Sequence, residues 1–263
     1  MASECIGETM MIPFNFANKK VIVAGGGGHI GQAITKQLTD GGAWVAILDR
    51  QFPWSSLPYH VIPIECDLTD EAQTRRRTQQ AIEELEGLDV LIHCAALTGD
   101  AGIPGYNTDF MQQTVAAWDV AIRVNLTSAF VLAQECWPAL IAGEGNIVFV
   151  SSIYGVVAPD KSLYEGTNMA GVPVAYAVSK AGLLGLTRYL AAEFAPVRVN
   201  CVSPGGIVRK QPSAFVGRYT AKTPMGRMLT EQDVSDAVCW LASDASGMVT
   251  GHNLIVDGGY SLT

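Results

Sequence analysis

Short β-branched runs alternate along the chain with longer stretches of helical spacing. Lys20–Ala24 (KVIVA) reads as a buried strand, and Ile30, Ala33, Ile34, Gln37 and Leu38 follow at helical spacing until Gly41 and Gly42 stop the helix. Further strands are predicted at Trp44–Leu48, His60–Ile64, Asp89–Cys94, Asn146–Val150, Val197–Val202 and Asn253–Val256. Helices are predicted over Glu71–Glu86, about Thr114–Trp137, Val174–Phe194 and about 231–243, with loops over 98–109 and 204–230. Such alternation demands parallel strands, because each crossover helix must pack back onto the sheet. The expected fold is α/β, a doubly wound parallel seven-stranded sheet with helices on both faces. No repeat or low-complexity linker divides it, so residues 1–263 read as one domain.

Composition agrees with a thick core. Apolar residues make up 49% of the 263 positions and charged residues only 16%, against about a quarter charged in a typical domain. The net charge of −8 argues against nucleic acid or an anionic membrane as partner. No apolar run approaches the ~18 residues of a membrane span. The opening segment MASECIGETMMIPFNF has two Glu and no basic stretch, so it does not read as a secretory signal. Cys5, Cys66, Cys94, Cys136, Cys201 and Cys239 are scattered, which suits free thiols in the cytoplasm and offers no metal-ligand spacing.

The first strand runs directly into AGGGGHIG, residues 24–31, and then into a helix. Gly26, Gly28 and Gly31 satisfy the G-x-G-x-x-G pattern of a dinucleotide-binding turn. Glycines there let backbone N–H groups approach a pyrophosphate, which the helix N-terminus then faces. The second strand leads into Asp49, about 20 residues further on. A carboxylate there accepts from both adenine-ribose hydroxyls and repels a 2′-phosphate, so NAD is favoured. The adjacent Arg50 keeps NADP open, because a guanidinium binds such a phosphate. Asp67, after the third strand, either reaches the adenine ring or caps the next helix.

Tyr176 and Lys180 stand four apart in YAVSK and share one helix face. A tyrosine with a pKa near 10 needs lowering by roughly 3 units for acid–base work at neutral pH. A desolvated ammonium beside it supplies such a shift. Ser151 and Ser152 end the fifth strand, at the side where α/β sheets bind ligands. Asn125 interrupts an otherwise apolar helix.

Together these residues resemble the short-chain dehydrogenase/reductase family in its single-domain Rossmann form, from about Lys19 to Tyr260. The likeness extends through Trp118-Asp119, Val124-Asn125-Leu126, Asn200, Pro204-Gly205, Leu241–Asp244, Thr250-Gly251 and Val256–Gly259. It implies that Tyr176 is the general acid/base and that Lys180 lowers its pKa and binds the nicotinamide ribose. It implies that Ser152 polarises the substrate oxygen and that Asn125 holds a water linking Lys180 to solvent. Cofactor contacts are implied for Gly25, Gly28, His29, Ile30, Gly31, Asp49, Arg50, Asp67, Leu68, Ala95, Tyr176, Lys180, Pro204, Gly205 and Ile207. Three departures from the family pattern stand out: Ala24 before the first glycine, His29 in the turn, and the stretch His93–Ala96 after the fourth strand. His93 reads as a core or cofactor-side residue.

Ser152 and Tyr176 are separated by 23 residues, an unusually long excursion for the family. Long loops beside a site are commonly functional, so substrate loops are expected over about 153–173 and 204–230. Tyr164, Glu165 and Arg209 are candidate substrate contacts, beside Ser152. Their polarity suits a sugar-like small molecule, as in bacterial members of sugar or sugar-acid metabolism. The expected reaction is hydride transfer between NAD(H) and a secondary alcohol or ketone. The alternatives are an epimerase or dehydratase acting on a nucleotide sugar, which His29 and His93–Ala96 favour, and a dinucleotide-binding regulator without catalysis. The run Arg75–Arg77 reads as a solvated helix face, and the apolar helices suggest a homodimer or homotetramer.

Overall fold

The computed structural model describes residues 14–54, 56–99 and 101–263, so Cys5 and most of the opening segment lie outside it. The strands are β1 (Lys20–Ala24), β2 (Trp44–Asp49), β3 (Val61–Glu65), β4 (Val90–His93), β5 (Asn146–Val150), β6 (Arg198–Pro204) and β7 (Asn253–Val256). Between them run the helices α1 (His29–Asp40), α2 (Glu71–Leu85), α3 (Val115–Ile122), α4 (Ser128–Ala142), α5 (Val174–Glu193), α6 (Ser213–Ala221) and α7 (Glu231–Ala242). All seven strands are parallel, in the order β3-β2-β1-β4-β5-β6-β7. The strand order reverses between β1 and β4, which opens a crevice at their carboxyl ends.

Alternation along the strands divides the core in two. Ile22, Leu48, Leu91, Phe149 and Cys201 face one layer, with Ala81 of α2, Leu132 of α4 and Leu183 of α5. Val21, Val23, Ile47, Ile92 and Val148 face the other, with Ile34 and Leu38 of α1 and Val238 of α7. A smaller cluster of Ile153, Leu163, Phe215, Tyr219, Met228 and Tyr260 joins the long loop, α6 and the chain's end.

Several boundaries differ from expectation. The helix expected over Thr114–Trp137 is α3, a π-helical turn over Arg123–Thr127, and α4, which continues past Pro138 to Ala142. By length and composition Val115–Ala142, with mean hydropathy 1.4, does reach the span of a membrane helix. Here its apolar positions Ala129, Leu132, Ala133, Cys136 and Leu140 are buried against the sheet. The expected loop 204–230 contains α6, whose Phe215 and Tyr219 are buried. Arg75 is not simply solvated: it pairs with Glu71 at 2.8 Å and with Glu135 of α4 at 2.6 Å, linking two helices.

Leu183 is wholly buried between α5 and the sheet. Leu183→Ala is expected to cost about 2–5 kcal/mol of unfolding free energy, read from the urea midpoint. A loss below about 1 kcal/mol would contradict this packing.

Candidate active site

The turn after β1 is built for close backbone approach. Gly25 has φ +86°, and a Cβ there would stand 2.5 Å from the Ala95 nitrogen. A Cβ on Gly31 would stand 2.2 Å from the Gly25 carbonyl oxygen. The N-terminus of α1 begins after Gly28 with no side-chain cap and no acidic residue in its first turn. Its free N–H groups and dipole therefore suit a diphosphate.

Two adjoining cavities open along this crevice. The first, of about 300 Å³, is lined by Gly25, Gly28, Asp49, Arg50, Asp67, Leu68 and Ala95. Asp49 Oδ2 accepts the Gly27 N–H at 3.0 Å. Asp67 accepts from the Thr69 N–H and hydroxyl at 2.9 and 2.8 Å, whereas Asp70 caps α2; Asp67 is thus a cavity residue and not the cap. The second cavity, of about 400 Å³, brings His29, Ile30 and Gly31 together with Ser152, Tyr176, Lys180, Pro204, Gly205 and Ile207. These are dimensions of small-molecule sites, and the residues fit a dinucleotide lying across both.

Ser152 follows β5 and is almost buried. Its oxygen accepts the Tyr154 N–H at 3.2 Å, and it lines the same cavity as the Tyr176 phenol. Ser151 donates to the Lys180 carbonyl at 2.7 Å and so fastens α5 to the strand end. Lys180 is 2% exposed. Its ammonium donates to the Val150 carbonyl at 2.6 Å and lies 5.8 Å from the centre of the Tyr176 ring. Burial holds the ammonium down to about 8. Burial likewise pushes the Tyr176 phenol above its ordinary value, with the nearby Ser152 opposing. The expected lowering of Tyr176 by Lys180 is therefore not present with the ammonium on Val150.

Asn125 occupies the π-helical turn. Its Oδ1 accepts the Leu97 N–H at 2.7 Å and its Nδ2 donates to Ser179 Oγ at 3.0 Å. Ser179 in turn donates to the Tyr176 carbonyl at 2.8 Å. The side chain is a brace between the 97 segment and the helix bearing Tyr176. His93 is fully buried, and burial takes its imidazole down to about 3. Ser128 donates to the Val124 carbonyl at 2.7 Å, so His93 Nε2–H donates to Ser128 Oγ, also at 2.7 Å. A neutral histidine locked in this way is structural. Cys94 borders both cavities, and burial pushes its thiol up to about 12.

Of the expected substrate contacts, Tyr164 and Arg209 line the second cavity and Glu165 does not. Glu165 is exposed, and its carbonyl accepts from Arg218. The Arg209 Nε is engaged by Glu231 at 3.1 Å. Tyr154, Met169, Val172 and Gln211 also line this cavity; only their place in the two long loops marked them in advance. Among the described residues no group of His, Cys, Asp and Glu could hold a metal ion.

Known proteins are similar to this chain over nearly its whole length. The family model described as Enoyl-(Acyl carrier protein) reductase matches residues 26–261. A short chain dehydrogenase from Leptospira borgpetersenii, solved with bound NAD+, superposes with a TM-score of 0.85 and 32% identity over 99% of each chain. The chain belongs to the short-chain dehydrogenase/reductase family. The cis-4-hydroxycyclohexanecarboxylate dehydrogenase of Sinomonas cyclohexanicum is 31% identical over 94% of this chain and 98% of that one. The NAD-dependent glycerol dehydrogenase of Listeria innocua is 29% identical over 95% and 96%. The chain is accordingly an oxidoreductase of CH–OH groups.

Lys180 is ordinarily charged at neutral pH, and burial lowers its value from 10.5 to about 8. The unfolded chain therefore holds this proton over a window in which the folded chain has lost it, and stability from this group rises with pH through that window. Lys180→Met is expected to melt above the parent near neutral pH, and its advantage is expected to shrink between pH about 8 and 10.5. A difference in melting temperature that stays constant across that window would contradict the burial of a charge.

Proposed function

We propose that this oxidoreductase interconverts a secondary alcohol and its ketone on a polar, hydroxyl-rich small molecule, with NAD preferred over NADP. The observation that carries the reading is the convergence of Ser152, Tyr176 and Lys180 in the cavity that also receives the glycine turn. Bound nicotinamide supplies the hydride acceptor or donor. The protein's part is to hold the reacting oxygen and move its proton. Ser152 donates to that oxygen, and Tyr176 takes the hydroxyl proton in oxidation and returns it in reduction. Burial keeps the free phenol protonated, which suits it as an acid. As a base it needs the ammonium of Lys180 closer, and one helical turn is within that side chain's reach. Asn125, Ser179 and Ser151 hold the helix that presents both groups.

Asp49 supports the NAD preference. It borders the first cavity and is already anchored to the glycine turn. The NAD+ bound in the Leptospira relative and the NAD-dependence in the name of the Listeria one point the same way. Exposed apolar side chains on α4 and α5, among them Phe130, Val178 and Tyr189, support association of copies through these helices. The five described cysteines are free thiols, which fits the cytoplasm.

Tyr176→Phe is expected to lower turnover by about 10²–10⁴-fold, followed by the absorbance of reduced nicotinamide, while the thermal shift with NAD+ persists. Turnover within about threefold of the parent would exclude the phenol as acid and base. The parent is expected to gain a larger thermal shift from NAD+ than from NADP+, and Asp49→Ala to narrow that gap. Equal or reversed shifts in the parent would refute the role given to Asp49.

A further inference from the structure

The long excursion between Ser152 and Tyr176 brings two phenols to the catalytic cavity that the chemistry above does not use. Tyr154 and Tyr164 both line it. Their hydroxyl oxygens lie 3.4 Å apart, well beyond the ~2.7–2.8 Å of a good O–H···O bond. One weak contact between two hydroxyls leaves a donor and several lone pairs unused in a half-buried position, which is a disposition suited to a ligand oxygen. Burial holds both phenols above their ordinary values. They are therefore neutral donors and acceptors at any working pH, matched to a neutral hydroxyl more than to an anion.

Their position is fixed from behind. The Tyr154 N–H donates to Ser152 Oγ, which places that ring two residues from the catalytic hydroxyl. The Tyr164 ring packs 5.3 Å from Phe215 of α6. Arg218 of α6 donates to the Leu163 carbonyl at 3.1 Å, and Lys222 pairs with Asp160, which caps the short 3-10 turn Lys161–Tyr164. Thr167 donates to the Tyr164 carbonyl at 2.7 Å. Tyr164 also lies close enough to Tyr176 for a charge on one phenol to be felt by the other. A preorganised pair of this kind loses little rotamer entropy when a ligand arrives.

We infer that Tyr154 and Tyr164 form a hydroxyl-recognition subsite, in which a ligand hydroxyl on the carbon next to the reacting one bridges the two phenols. The inference rests on the reading given under Proposed function and deepens it: the substrate class is a neutral vicinal diol or polyol. Tyr164 is a specificity-determining residue, because Ser152 and Tyr176 handle the reacting oxygen and the phenol pair handles its neighbour.

The test uses the full chain with NAD+ and three ring substrates: cyclohexanol, its vicinal diol, and the vicinal hydroxy acid of the same ring. The parent is expected to favour the diol over cyclohexanol by about 10-fold or more in kcat/KM. In Tyr164→Phe the diol is expected to lose most of that advantage, chiefly through KM, while cyclohexanol falls much less, so that the ratio approaches one. Tyr154→Phe is expected to act in the same direction. The double variant is expected to lose little beyond the larger single effect, since both phenols hold one hydroxyl. A ratio unchanged in Tyr164→Phe, a parallel fall for diol and mono-alcohol, or a parent preference for the hydroxy acid would overturn the subsite. Should Tyr164→Phe lose its thermal shift with NAD+ and so prove unfolded, Tyr154→Phe decides by the same ratio. Turnover of no alcohol with either cofactor would overturn the function proposed above and this subsite with it; turnover with a flat ratio would overturn the subsite alone.

Discussion

A lysine ammonium almost without solvent, at the junction of β5 and α5, is the constraint on which the site depends. Lys180 is 2% exposed and donates to the carbonyl that ends β5. A charge in such a place is costly unless it is hydrogen-bonded. Its burial therefore requires the strand end and the helix to meet closely. Ser151 makes that meeting specific through the Lys180 carbonyl, and a Cβ on Gly155 would stand 2.8 Å from the same backbone. The same junction puts Ser152 beside Tyr176. Stability is lost at this point in exchange for a cation held within reach of a phenol.

The second half of the site follows from topology. Strand order reverses between β1 and β4, so the glycine turn after β1 and the segment after β4 face each other across a crevice. Gly25 sits against Ala95 with no room for a side chain. The crevice is continuous from Asp49 to Tyr176 because the two cavities share Gly25, Gly28, Cys94 and Ala96. The long loop and α6 then close the substrate side through their own small apolar cluster.

The parallel sheet and the glycine turn were legible in the sequence because each is a local signal. A β-branched run buried on both faces reads as a strand whatever surrounds it, and glycine is required where a Cβ would strike backbone. Tyr176 and Lys180 stood out by their spacing together with Ser151, Ser152 and Asn125, and the family resemblance supplied their expected roles. What escaped depends on tertiary contacts. The π-helical turn at Asn125 is stabilised by Leu97 and Ser179, which no local pattern reveals. Helix α4 runs through Pro138 because Leu140 beyond it is buried in the core, overriding the local penalty. Helix α6 contains Gly217 and is held by the packing of Phe215 and Tyr219. Tyr164 and Glu165 were equivalent in sequence, yet a short 3-10 turn sends one into the cavity and the other to solvent.

The most direct measurement of the central claim is an ultraviolet titration of tyrosine ionisation in the NAD+-bound protein, compared with Tyr176→Phe and Lys180→Met. The expected result is one phenol ionising well below the ordinary ~10, absent in the first variant and moved upward in the second. Ionisation of every tyrosine at or above that ordinary value, with both variants identical to the parent, would contradict the pairing of a buried ammonium with a catalytic phenol.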